Sequence, residues 1–389
     1  MNIYFDNAAT TRTMDCVIDQ MVIMLRDHYG NPSSLHYKGI EAEKEITQAK
    51  EIFAKLLKVE KKEILFTSGG TESNNLALLG IAKAYVRSGK HIILSSIEHP
   101  SVSAVCKQLL EDGYEITTLQ VDGKGQIDLK MLEDAIRKDT ILVSIMHVNN
   151  EIGTIAPLEK IGQLIKKSNP NTLFHVDAVQ SFGKIWLTPK RALIDCMSMS
   201  GHKIHGPKGI GALYLQPKVK IKSIVYGGSQ QGGIRSGTEN TSGIAGFSVA
   251  AAWMYDHIEQ NKQHLMNLKL KLRNDILQNI EKTYVNGPDP IMDEAISVPN
   301  ILNIRFEGVR GEVLLHALES KGIFVSTGAA CASNKHEPSA TLTGIGLKEE
   351  EIESAIRFSF SFYNTVADVD YCIEQLKEIV PMLRKFTRK

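Results

Sequence analysis

From residue 62 onward, short uninterrupted apolar runs alternate with segments whose apolar positions recur every three or four residues. The first kind reads as strands buried on both faces, the second as amphipathic helices. Strands are predicted at 63–67, 91–95, 115–120, 141–146, 173–176, 194–199 and 211–215, with helices between them at 72–87, 101–112, 129–137 and 158–167. This alternation predicts an α/β fold with a mostly parallel seven-stranded sheet covered by helices on both faces.

Ahead of that region, 16–29 and 39–57 carry helical spacing and are separated by the breaker run Gly30-Asn31-Pro32-Ser33-Ser34. Residues 7–11 are too small and polar for core, so the first 15 residues are expected to form an arm that returns toward the functional site. A long helical stretch at 241–281 leads away from the sheet. After it come a Pro-rich turn at 286–290, a strand at 301–306, a helix at 311–321, a small-residue loop around Cys331, a strand at 355–362 and a last helix at 366–384. The expected organisation is a large domain over 16–260 and a smaller C-terminal α/β domain made of 261–389 together with 1–15.

At 389 residues and 43% hydrophobic, the chain is long enough to bury a sizeable core. A formal charge of +1, with no long basic stripe or acidic tail, gives no electrostatic case for direct nucleic-acid binding. The opening Met-Asn-Ile-Tyr-Phe-Asp lacks a basic stretch followed by an apolar one, and no run reaches the roughly 18 apolar residues of a membrane helix. A soluble, cytoplasmic protein with no membrane partner is expected. The five cysteines are odd in number and widely spaced, which suggests neither a disulfide framework nor a zinc pattern, so no metal site is expected. Cys331 stands apart, because Ser-Thr-Gly-Ala-Ala-Cys-Ala-Ser-Asn has no flanking bulk and reads as an exposed loop.

Two residues give the large domain its chemistry. Asp177 follows the apolar run at 173–176, and Lys203 follows another at 196–199 inside Ser-Met-Ser-Gly-His-Lys-Ile-His-Gly-Pro-Lys-Gly, so both are expected at the C-terminal ends of strands, where α/β sheets bind ligands. A lysine and a carboxylate together there suit pyridoxal phosphate (PLP): the amine forms a Schiff base and the carboxylate keeps the pyridine nitrogen protonated. At about 3 Å and an effective dielectric of about 20, such an ion pair is worth on the order of 5 kcal/mol before desolvation. Ser68-Gly69-Gly70-Thr71 ahead of a helix suits the phosphate, because glycines let backbone amides approach an anion, although a Gly/Ser turn with a Thr N-cap reads the same way. Arg357 lies in the apolar strand Ser-Ala-Ile-Arg-Phe-Ser-Phe and needs an anion, either a bound carboxylate or an internal Asp or Glu.

These residues sit within ordered motifs: Asp-Asn-Ala-Ala-Thr-Thr (6–11), Gly-Asn-Pro-Ser-Ser-x-His (30–36), Thr-Ser-Gly-Gly-Thr-Glu-Ser-Asn-Asn (67–75), Glu-His-Pro-Ser-Val (98–102), Asn-Asn-Glu-Ile-Gly (149–153), the Lys203 loop, Arg-Ser-Gly-Thr-Glu-Asn (235–240) and Gly-Ala-Ala-Cys (328–331). In these, nearly end to end, the sequence resembles the NifS/IscS-type cysteine desulfurases of the long-loop class I branch, fold-type I PLP-dependent transferases within the aminotransferase class V family. The resemblance implies that Lys203 anchors the cofactor, Asp177 faces its ring nitrogen and Gln180 its phenolic oxygen, while His99 stacks on the ring and shuttles protons. It places Thr71, Ser200 and His202 on the phosphate with backbone from Gly70, and Thr238 on the phosphate of a neighbouring subunit, which implies a homodimer with shared sites. Arg357 would take the substrate carboxylate, with Asn31 near the substrate and Asn149 near both substrate and cofactor.

The implied activity is conversion of L-cysteine to L-alanine with formation of a persulfide on Cys331, for delivery to a sulfur-accepting protein such as an iron–sulfur scaffold or a tRNA-thiolation enzyme. An aminotransferase would share the fold and lysine but have no use for Cys331. A selenocysteine lyase would use the same residues, and a catalytically inactive PLP-fold binding protein would not need them all. Many relatives carry a longer tail after the cysteine that is implicated in docking a scaffold, so the acceptor is left open.

Overall fold

The computed structural model describes residues 2–327 and 338–386. The chain opens with β1 (Ile3–Tyr4), α1 (Asp15–Arg26) and α2 (Tyr37–Leu57). It continues through β2 (Ile64–Thr67), α3 (Gly70–Tyr85), β3 (His91–Ser95), α4 (Pro100–Glu111), β4 (Glu115–Leu119), α5 (Leu129–Ala135), β5 (Thr140–Ser144), α6 (Leu158–Ser168), β6 (Leu173–Asp177), β7 (Cys196–Ser200) and β8 (Gly211–Leu215). These strands form one seven-stranded sheet in the order β2-β8-β7-β6-β5-β3-β4. All the pairs from β7 to β4 are parallel, whereas β8 runs antiparallel to both of its neighbours.

Every strand of this sheet except the edge strand β4 is buried along its whole length. That is why they read as apolar runs rather than as alternations: helices cover both faces of a mostly parallel sheet. On α6, buried Leu158, Ile161, Gly162 and Ile165 make one helical stripe facing the sheet. One core lies against α2 and centres on Phe53, whose ring is stacked on Phe182 at 5.5 Å and edge-on to Phe66 at 5.6 Å and Phe247 at 4.8 Å. Truncating a buried phenylalanine of this kind costs about 3 to 5 kcal/mol. A second cluster on the other face joins Leu76, Ile81, Val102 and Leu109 of α3 and α4 to Ile92, Leu94 and Leu142 of the sheet.

The expected single helix at 241–281 is two, α7 (Thr241–Asp256) and α8 (Ile258–Asn279), joined at His257. There the backbone leaves helical geometry (φ −112°, ψ 13°), the imidazole Nδ1 meets the Trp253 carbonyl at 2.8 Å and the ring stacks on Trp253. The His257 N–H still reaches the same carbonyl at 3.2 Å, so ring and backbone share one acceptor at a break that contains no glycine or proline.

The chain then gives β9 (Thr283–Val285), β10 (Ile301–Phe306), α9 (Gly311–Glu319), β11 (Ile323–Phe324), β12 (Ser326–Thr327), α10 (Ala340–Gly344), α11 (Glu349–Glu353), β13 (Ala355–Ser359) and α12 (Val366–Phe386). A four-stranded antiparallel sheet in the order β12-β13-β10-β9 packs with α8, α9 and α12 around a separate core that includes Leu268, Leu272, Phe306, Leu314, Phe358 and Leu376. β13 ends earlier than the strand expected at 355–362, because Phe360 turns its N–H to Asn300 and Asn364 caps the turn at Ser361. β1 pairs with β11, which ties the N-terminal arm to this smaller unit. Among the described residues no helix is long and apolar enough to cross a membrane.

Candidate active site

β6 and β7 are parallel neighbours, so Asp177, the last residue of β6, and Lys203, three residues beyond the end of β7, leave the sheet on the same side. The antiparallel return through β8 pins the lysine loop at its base, where Gly201 donates to Ile210 at 3.1 Å. His205, with φ +62°, turns the loop back in the left-handed region, and its Nδ1 is 2.8 Å from the Arg12 carbonyl.

The N-terminal arm passes under this loop. Lys203 Nζ donates to the carbonyls of Ala8 and Ala9, both at 2.6 Å. Gln180 Nε2 donates to the same Ala8 carbonyl at 2.8 Å, and Lys184 Nζ donates to Gln180 Oε1 at 3.1 Å, which fixes the direction of the Gln180 amide. Burial pushes the Lys184 amine down to about 7, helped by the nearby charges of Lys203 and Arg357.

Asp177 and His99 are connected by a relay. Asn74 Nδ2 donates to Asp177 Oδ2 at 2.7 Å and to Ser101 Oγ at 2.8 Å, and Ser101 Oγ lies 2.8 Å from His99 Nδ1. The Ser101 N–H also donates to Nδ1 at 3.1 Å, so His99 caps α4 and, when neutral, carries its proton on Nε2. Desolvation lowers the basicity of His99; Asp177 opposes this and Lys203 reinforces it. The other Asp177 oxygen accepts from Val179 N at 3.0 Å.

Beside Asp177, α3 begins at Gly70 with no side-chain cap at Gly69. A Cβ at Gly70 would lie 2.6 Å from Val179 Cγ2 and 3.6 Å from Ser200 Cβ, so only glycine lets this helix start so close to the Lys203 loop. Ser200 Oγ is buried with no hydrogen-bond partner among the described residues. An uncapped helix N-terminus beside an unpaired buried hydroxyl is a fit for a phosphate. Arg235 braces this end of α3 through Glu72, with bonds of 2.7 and 3.2 Å. His202 sits at the same loop with Nδ1 3.1 Å from Thr10 Oγ1, and burial, then Lys203 and other lysines, push it down to about 4. It is neutral at physiological pH.

Arg357, in the middle of β13 and 3% exposed, pairs with Asp6 at 2.7 Å through Nη2 and with the Asn150 carbonyl at 3.0 Å through Nη1, while Nε is buried and unpartnered among the described residues. The internal carboxylate left open by the sequence is therefore present.

The remaining expected residues have other surroundings within the chain. The Asn149 amide is taken up by the Ile97 carbonyl and Thr341 on one side and by Glu151 and Ile152 amides on the other, so it organises a junction of loops. Asn31 is exposed and its Oδ1 accepts from Ser33 N, an ordinary turn bond. Thr71 and Thr238 are exposed, Thr71 in the first turn of α3. Cys331 lies outside the described residues. Asn74, Ser101, Lys184 and Asp6 were not singled out from the sequence; Asn74, Ser101 and Asp6 lie within quoted motifs, but nothing local marks their partners.

Comparison with known proteins decides the family. Residues 3–372 match the aminotransferase class-V family. The chain belongs to that family. It is 41% identical over 385 residues to a cysteine desulfurase IscS of Clostridium botulinum (99% of this chain, 96% of the relative) and 43% identical over 385 residues to that of Methanosarcina thermophila (99% and 93%). Among solved structures it superposes on a NifS-like protein with a TM-score of 0.92 at 38% identity, covering 98% of this chain and all of the other. It also resembles SspA in complex with cysteine, with a TM-score of 0.81 at 34% identity, covering 94% of this chain and all of the other. These likenesses span both the large sheet and the smaller antiparallel one.

Proposed function

We propose that this class-V enzyme is a PLP-dependent cysteine desulfurase that converts L-cysteine to L-alanine and leaves a persulfide on Cys331. The observation that carries the reading is the placement of Lys203 and Asp177 on adjacent strand ends beside an uncapped helix, in a chain alike over nearly its whole length to proteins named cysteine desulfurase.

Bound PLP supplies an electron sink and a carbon to which amines attach. Lys203 Nζ would hold the cofactor, and its amine is the group that would take the substrate Cα proton. Asp177, steadied by Asn74 and the Val179 amide, keeps the ring nitrogen protonated. Gln180 presents its amide to the phenolic oxygen, in an orientation set by Lys184. Ser200, Thr71, His202 and the first amides of α3, with Gly70 among them, receive the phosphate. His99, with Nδ1 held by Ser101, would offer its Nε2–H for proton transfer beside the bound cofactor. Arg357 receives the α-carboxylate, with Asn149 and Asn31 shaping the approach. The Cys331 thiolate attacks the substrate sulfur: an S–S bond forms as the Cβ–S bond breaks, and Cβ takes a proton to give alanine.

The functional unit is a homodimer in which Thr238 reaches the partner's phosphate. Exposed Ile18, Val22 and Leu25 form an outward stripe on α1 at helical spacing, and Leu35, before α2, and Tyr37 and Ile40 in its first turn are exposed too, apolar surface that suits a second copy of the chain. The chain divides into two domains, 16–260 and 1–15 with 261–389, in keeping with separate cores around Phe53 and around Phe306, while smaller clusters such as Ala8, Val148, Val298 and Ile301 bridge them. Cys16, Cys106, Cys196 and Cys372 are free thiols, which suits a reducing cytoplasm. The sulfur passes on to an acceptor protein, an iron–sulfur scaffold or a tRNA-thiolation enzyme.

The test is incubation of the holoenzyme with L-cysteine. Alanine and protein-bound sulfane sulfur should appear in equal amounts, and Cys331→Ala should retain the cofactor while losing the bound sulfur. A keto acid in place of alanine would identify an aminotransferase instead. Faster turnover of selenocysteine than of cysteine would make the enzyme a selenocysteine lyase.

A further inference from the structure

We infer that Asp6 sets the affinity of this site for amino-acid carboxylates by sharing the Arg357 guanidinium with them. The inference rests on the reading of Arg357 as the carboxylate-binding residue and adds a second residue that tunes it.

A guanidinium carries five N–H donors, and its Nε/Nη2 edge grips a carboxylate with two parallel bonds. Asp6 uses only one bond, from Nη2 to Oδ1 at 2.7 Å, and Asn150 takes Nη1 at 3.0 Å. Nε is buried and has no partner among the described residues. The pair is thus half made, with the donor that would complete a bidentate grip left for another oxygen. Asp6 is also the more open member, its side chain 21% accessible against 4% for Arg357.

Asp6 is well placed for a standing role. Its carbonyl accepts from Ala9 N at 3.0 Å, and the same arm carries the Ala8 and Ala9 carbonyls that hold Lys203. One short segment therefore presents a carboxylate to the arginine and two carbonyls to the lysine. A lone buried guanidinium is costly, so Asp6 stabilises Arg357 and orients it. The same charge opposes a second carboxylate on the same cation, since two anions close together disfavour one another. Asp6 weakens the hold on the α-carboxylate of substrate and product alike, and so favours release of alanine. It is a positioning residue that acts through Arg357.

Asp6→Asn tests this, because the amide oxygen keeps the acceptor facing Nη2 and removes only the charge; Asp6→Ser is the second variant. Holoenzyme is titrated with L-alanine and with ethylamine, which has the amine but no carboxylate, following the cofactor's visible absorbance with calorimetry as a check. L-Alanine should bind at least tenfold more tightly to Asp6→Asn, about 1.4 kcal/mol, and ethylamine should stay within twofold of the wild type. The KM for L-cysteine should fall in the same direction. Unchanged or weaker L-alanine binding in both variants overturns the inference, as does equal tightening toward ethylamine. If the wild type responds equally to both ligands, Arg357 does not read the carboxylate, and the site reading fails together with the inference.

Discussion

Asn74 is the test of whether the relay behind the cofactor pocket is functional. It is fully buried, and its two amide hydrogens go to Asp177 and Ser101. Its orientation is fixed by Asp177, which needs a donor, and the cost is a buried Oδ1 with no partner. Asn74→Leu keeps the volume and removes both donors. The bond to the carboxylate is worth about 1.5 to 3 kcal/mol and that to the hydroxyl about 0.5 to 1.5 kcal/mol, while losing the unpaired oxygen returns about 1 kcal/mol. The net loss of stability should be about 1 to 3 kcal/mol, measurable by urea unfolding of the protein without cofactor. The larger effect should be on PLP, because the lost carboxylate bond no longer presents Asp177 to the ring nitrogen. A weakening of about 10- to 150-fold follows if that bond is fully expressed in binding, readable by cofactor titration. Asn75→Leu, one position off the relay, is the control. If Asn74→Leu binds PLP within twofold of the wild type, the relay does not support Asp177 and the reasoning is wrong.

Shared sites predict that mixing a Lys203→Ala chain with a Thr238→Ala chain restores activity, since each heterodimer contains one site free of both changes. Confirmed heterodimers no more active than either parent would refute sharing. Glu98 is fully buried, with Oε1 accepting from Ser95 at 2.6 Å and Met146 N at 2.8 Å, and burial pushes its carboxyl up to about 8, with Asp177 adding to the rise. Between the ordinary carboxyl range and pH 8 the native state therefore holds a proton that the unfolded chain has lost, so stability should fall as pH rises through that window. Glu98→Gln should flatten the decline in melting temperature between pH 6 and pH 9, and parallel declines in the two proteins would refute this.

Much of the large sheet was legible because its strands are buried on both faces and its helices keep strict apolar spacing, as β5 and α6 illustrate. Strand direction was not: Gly211–Leu215 has the same apolar character as its parallel neighbours, and only the short return from β7 makes β8 antiparallel. The break at His257 was hidden because no Gly or Pro marks it, and a histidine ring folding back on the Trp253 carbonyl leaves no such signature. In the site, Asp177 and Lys203 could be placed from the runs preceding them, since a strand end is a local feature. Asp6 on Arg357 could not, being a contact across 351 positions. The partners of Asn149 were equally hidden, because its amide bonds reach Ile97 and Thr341 on loops far from it in sequence.

The arm has a consequence for the order in which the molecule is made. Asn7 donates to the Ser359 carbonyl at 2.9 Å, Ala8 N donates to Ser359 Oγ at 2.9 Å, and the first of these bonds spans 352 positions. At a synthesis rate of about 5 to 20 residues per second, roughly 20 to 70 seconds separate the appearance of the two ends. The segment that leaves the ribosome first is thus among the last to be installed, after the large sheet has its full set of strands and Lys203 is already in its loop. Until residue 359 is made, the arm has no berth on the smaller sheet and Asp6 has no arginine to meet, so a nascent chain cannot assemble the pocket that would bind an amino acid.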